Sequence, residues 1–236
     1  MPSVTRRSFL GHAAAVSAAI ATPALAAAQA PVLFKPGDWK MASFQQLLQS
    51  SHDVKQLYDA TIVDDGNALD HMVNSLNGLQ FGFGIPADRI KLVGAFRAMA
   101  TVLNYDDAAW EKYRIGEQQN IKDPKTGKPA IRNIFAASAA GSPPHYTSTD
   151  PDSDNSLYQD ASISALQARG VQFLACHLAI HHHAKMLVTK LKLPQTPAEV
   201  ERDLAAHLLP GVLVVPSMVS AIAMLQARGQ FTYLRM

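Results

Sequence analysis

The sequence has a single cysteine, Cys176, no large surplus of either charge, and no apolar run strong enough for a stable membrane span. One cysteine excludes an intramolecular disulfide, so the thiol is either packed and inert or kept free for chemistry. Lys and Arg number 21 against 19 Asp and Glu. A balance that close gives no concentrated basic face and argues against a nucleic-acid partner. Several catalytic signatures are also missing. There is no C-x-x-C, C-x-x-C-H or H-E-x-x-H, no glycine-flanked serine elbow and no phosphate-cradling glycine loop. The Asp and Glu residues show no spacing that marks an acid–base pair.

What is present suits one globular domain: 236 residues, 48% apolar and 17% charged. Thr5-Arg6-Arg7-Ser8-Phe9-Leu10 is a twin-arginine signal pattern, followed by an Ala-rich stretch from Ala13 to Ala28 that Thr22 and Pro23 interrupt. The expectation is a signal peptide over residues 1–26, cut after Ala26. Ala28 and Ala30 are the alternatives, the last disfavoured by Pro31 behind it. Losing Arg6 and Arg7 would leave 19 basic against 19 acidic residues. The destination implied is the bacterial periplasm, by the twin-arginine route, with no stable membrane span after cleavage.

Residues 27–236 read as alternating strands and helices. Met41 to Gln49 predicts a short helix on Phe44, Leu47 and Leu48, and Val54 to Ala60 a first strand. Leu69, Met72, Val73, Leu76 and Leu79 fall on one helical face between Gly66 and Phe81, with Asp64 and Asp65 where caps belong. Arg89 to Phe96 predicts a second strand with a short helix after it. Asp106 can cap a helix holding Trp110, Tyr113 and Ile115, ended by Gly116. Periodicity then disappears over about 117–155, an insertion expected to form an ordered wrap or lid anchored by Ile131, Ile134 and Phe135.

Leu166-Gln167-Ala168-Arg169-Gly170 and Leu225-Gln226-Ala227-Arg228-Gly229 repeat one pattern, a helix stopped by a left-handed glycine and turned into a strand. Thr196-Pro197-Ala198-Glu199 is a capping box. Val212 to Val215 is an apolar strand, and Pro216-Ser217 starts the last helix. Such alternation, with later strands apolar on both faces, predicts a three-layer α/β/α sandwich around a mainly parallel sheet.

In such sheets chemistry collects at the carboxyl ends of the strands, where Cys176, Ser217 and Arg97 fall. Cys176 ends a strand and opens a helix, so amide donors and the positive helix end favour its thiolate, and Arg97 would add a charge. Ser217 is either a ligand-binding residue at that edge or a helix cap. His177, His181, His182 and His183 follow on the helix. The apolar stripe Ile180, Ala184, Leu187 and Leu191 puts His182 outside and His177 and His181 along one flank, where their spacing allows a shared copper or zinc. A solvated histidine face is the other reading, and no cofactor is predicted. The methionines Met186, Met218 and Met224 read as core packing.

Leu166 to Cys176, Val212 to Ser217 and Leu225 to Leu234 resemble the DsrE/DsrF-like family, over about the last 80 residues and more loosely from Val54 to Leu103. The resemblance implies an α/β/α fold around a five-stranded parallel sheet, and assembly with copies of itself or related subunits. It also implies sulfur carried as a persulfide on a cysteine after a strand, the position Cys176 occupies. The function expected is a periplasmic sulfur-binding or sulfur-transfer protein exchanging small sulfur species. The alternatives are a non-catalytic module holding a metal or small ligand near Cys176, His177 and His181 under the long loop, and a scaffold subunit with an inert cysteine.

Overall fold

A computed structural model describes residues 39–137 and 146–236, which lie within one compact unit, Lys35–Met236. The expected signal peptide and its cleavage site lie outside the described residues, as do residues 138–145 of the insertion.

Five strands form one all-parallel sheet: β1 (Val54–Ala60), β2 (Ile90–Phe96), β3 (Gln172–Cys176), β4 (Leu213–Val215) and β5 (Thr232–Arg235), in the order β4-β3-β2-β1-β5. Alternate residues serve opposite faces. Phe173 and Ala175 of β3 join one core, with Leu92 and Phe96 of β2, while Leu174 and Cys176 join the other, with Val93 and Ala95. The thicker layer holds α2 (Asn67–Asn77), α3 (Asp107–Lys112), α4 (Ile115–Gln118), α5 (Ile163–Ala168), α6 (His177–Leu191) and α7 (Pro197–Ala206). The thinner layer is α1 (Met41–Leu48) with α8 (Met218–Ala227). This is the three-layer α/β sandwich expected. No helix among the described residues is long and apolar enough to cross a membrane.

Several local signals act as expected. Asp106 caps α3 by accepting from the Ala109 N–H, Thr196 and Glu199 form the full capping box, and Gly170 is left-handed at φ 87°.

Others differ. Asp64 and Asp65 do not cap α2; both take positive φ in a 3₁₀ turn, and Gly66 occupies the cap position. At the second repeat the left-handed residue is Gln230, not Gly229. Gly229 is needed there because a Cβ would lie 2.7 Å from the Leu225 carbonyl oxygen. The helix holding Trp110 breaks at left-handed Arg114, and Gly116 sits inside α4 against the Ala130 backbone. β5 is largely exposed because it forms a sheet edge.

The first part of the insertion, as far as Phe135, wraps on the core. Ile121, Ala130 and Asn133 are buried, and the Asn133 amide donates to the carbonyls of Leu103 and Tyr105. Ile134 and Phe135 pack on the core as expected, but Ile131 is 67% exposed and anchors nothing. Its neighbour Ala130 takes the buried position instead.

Candidate functional site

The strand order creates a crevice at β3 and β4. From the end of β3 the chain enters α6 in the thicker layer, and from the end of β4 it enters α8 in the thinner one. Where neighbouring strands send their connections to opposite faces, their carboxyl ends separate and leave room for a ligand. Cys176 is the last residue of β3 and pairs in register with Val215, the last of β4.

Its side chain turns toward the α8 layer and is 6% exposed. The Met218 N–H, first in α8, donates to Sγ at 3.4 Å. The amide donor foreseen for this sulfur is therefore present, but it comes from the neighbouring helix. As N-cap of α6, Cys176 makes no side-chain cap bond. The first amides of a helix have no intrahelical partner and carry its positive end, so α8 favours negative charge on that sulfur.

A pocket of about 310 Å³ opens there. Cys176, Arg97 and Ser217 all line it, so three expected site residues from three different strand ends meet in one place. Ser217 holds the N-cap position of α8 without a side-chain cap bond. Arg97 is already engaged: Nε and Nη2 donate to Asp59 at 2.7 and 2.9 Å, and the Tyr233 hydroxyl donates to the same carboxylate at 2.8 Å. Asp59 is 1% exposed. That carboxylate holds the Arg97 pKa above its ordinary value, against the opposing effect of burial.

His177 and His181 share a flank, as their spacing predicts, but turn toward α7. Their ring nitrogens lie 2.8 and 2.6 Å from the two carboxylate oxygens of Glu201, and His177 also meets the Trp39 ring edge-on. Neither lines the Cys176 pocket, and no described residue of the 117–155 segment does. Among the described residues, then, Cys176 and the pair His177 and His181 do not line one pocket. The pair is occupied by a carboxylate because α6 and α7 pack side by side.

The residue missed is His183. It is 6% exposed, stacks on Tyr105 with ring centroids 5.8 Å apart, and lines the pocket. Neither ring nitrogen has a hydrogen-bond partner. Burial pushes its pKa down to about 4, with Lys190 adding to the shift. Its sequence signal was available: it lies three residues after Ile180 and four before Leu187, on the buried stripe. His182 stays exposed at the rim, as expected. The Tyr105 hydroxyl and Asn104 Oδ1 are likewise buried without partners, and burial raises the Tyr105 pKa, with Cys176 contributing.

Among the described residues, no group of three or more His, Cys, Asp or Glu side chains could hold a metal ion. Of the methionines taken for core packing, Met186 and Met218 line the pocket together with Met99. No protein-family model matches this chain, and neither a curated protein nor a solved structure matches it at a significant level.

Proposed function

We propose that this chain is a DsrE/DsrF-like sulfur-binding or sulfur-transfer protein that carries sulfane sulfur on Cys176. The observation that supports the reading is the Cys176 sulfur at the β3/β4 crevice, receiving the first amide of α8 beside a pocket of about 310 Å³. A persulfide terminus is anionic, and the helix end favours that charge. With thiosulfate as donor, the Cys176 thiolate attacks the sulfane sulfur. A Cys–S–S⁻ bond forms, the S–S bond of thiosulfate breaks, and sulfite leaves with the electron pair. Arg97 on the pocket wall adds a cation that Asp59 holds in place.

Periplasmic location and twin-arginine export belong to the same proposal and rest on residues 5–28 of the sequence. So does assembly with a second copy or a related subunit, which the family resemblance suggests.

Intact-mass spectrometry after incubation with thiosulfate or polysulfide tests the reading. Wild type gains the mass of sulfur and loses it to a reductant, while Cys176→Ala stays unmodified. An unmodified wild type, or equal modification of the variant, refutes it.

A further inference from the structure

We propose that the pocket at the ends of β2, β3 and β4 is a Cu(I) site, built from the Cys176 thiolate, the His183 imidazole and the thioethers of Met99 and Met186. It goes beyond the sulfur-carrier reading and stands whether or not Cys176 carries sulfur.

The first observation is His183. A buried polar group without a hydrogen bond costs on the order of 1–3 kcal/mol, and native folds keep few of them. Here both ring nitrogens are unpaired on a side chain 6% exposed that borders the pocket. A ligand that takes the electron pair of the unprotonated ring nitrogen removes that nitrogen's share of the cost. His183 and Met186 are three apart on α6, so they neighbour each other on the helix surface, and both line the pocket. Helical side chains lean toward their own N-terminus, and the residue at that end of α6 is Cys176.

The second observation is the chemistry of the lining. Three of the chain's eight methionines, Met99, Met186 and Met218, border this one pocket, together with its only cysteine. Thiolate, thioether and imidazole are the donors that select copper in its monovalent state. No Asp or Glu lines the pocket, and Arg97 stands on its wall. One thiolate with one Cu(I) closes the site at zero net charge, which an apolar surround tolerates. A divalent ion such as zinc would leave a positive charge uncompensated beside a guanidinium. Binding is a simple exchange with no change of oxidation state: the thiol proton leaves and the sulfur–copper bond forms.

The experiment uses the full chain without a histidine tag, reduced, metal-free and kept from oxygen. Cu(I) is presented as its bicinchoninate complex, and transfer to the protein is followed by loss of the chelator's colour. One equivalent should transfer to wild type. Cys176→Ser should abolish transfer, and His183→Leu and Met186→Leu should each weaken affinity at least about tenfold, the loss of roughly one ligand bond's worth of free energy. Met186→Leu conserves volume, so it reports on the ligand even if His183→Leu perturbs packing. His181→Ala, on the flank that faces α7, should leave the affinity as it is. Copper left on the chelator by wild type, unchanged affinity in either His183→Leu or Met186→Leu, or transfer that survives Cys176→Ser overturns the proposal. Sulfur loading measured on the same variants separates this site from the carrier reading, because only Cys176 is common to both.

Discussion

Acidification should destabilise the metal-free protein through His183, by an amount that its burial sets. The folded chain holds this imidazole neutral down to about pH 4, whereas its ordinary pKa is 6.5. Between those values the unfolded chain binds a proton that the folded chain refuses, so stability falls as pH falls. Above the ordinary value the contribution is complete, and below about pH 4 no more is lost. Each pH unit across the window is worth about 1.4 kcal/mol, which gives a loss of about 3 kcal/mol from neutral pH to pH 4.5. The groups around the ring do not reverse the sign. Tyr105 stacks on it uncharged, Arg97 shares its pocket as a cation, and Lys190 of its own helix repels the imidazolium. Urea unfolding of wild type and His183→Leu at pH 7.5 and 4.5, with chelator present, isolates the effect, since every other titrating group is common to both. Wild type should lose about 2–3 kcal/mol more than the variant over that interval. Parallel losses in the two proteins would mean that the ring is protonated in the fold, and the account of its burial would fail.

Asp59→Asn should cost about 2–3 kcal/mol in chemical denaturation, because it leaves Arg97 without its carboxylate at a position 1% exposed. A change under about 0.5 kcal/mol would show that the pair is no more than a surface contact. Glu201→Gln should lower stability by about 1 kcal/mol, since one amide cannot accept from both His177 and His181; an unchanged urea midpoint would contradict their shared partner. Gly116→Ala ordinarily stabilises a helix, yet here the Cβ meets the Ala130 backbone, so a loss of about 1–3 kcal/mol is expected in thermal unfolding, and a gain would refute the docking of the insertion on α4.

The site was partly legible because some of its parts are local. A strand that ends on Cys176 and turns into a helix follows from the run Val171 to Ala175, apolar but for Gln172, with Gly170 in front, and both effects act within a few residues. Arg97 and Ser217 were placed at the same edge on similar grounds, and all three do line one pocket. The histidines were harder. Ligand spacing singles out His177 and His181 and the apolar stripe puts His182 outside, but neither pattern gives His183 a role, although it lies on the stripe with Ile180 and Leu187 and is buried. Its partner ring, Tyr105, lies 78 positions earlier in the sequence, so no local pattern reports the stacking.

By itself, then, the sequence determined the alternation of strand and helix, the left-handed stop at Gly170, the caps at Asp106 and Thr196, and the position of the cysteine at a strand end. Each is a matter of backbone dihedrals and periodicity over one or two turns. The tertiary structure alone decided that α8 supplies the amide to Cys176, that Asp59 holds Arg97, that Glu201 occupies His177 and His181, and that His183 lines the pocket with Met99 and Met186. Those depend on the strand order β4-β3-β2-β1-β5. That order is fixed by which apolar faces can be buried together, a long-range balance that no short stretch of chain encodes.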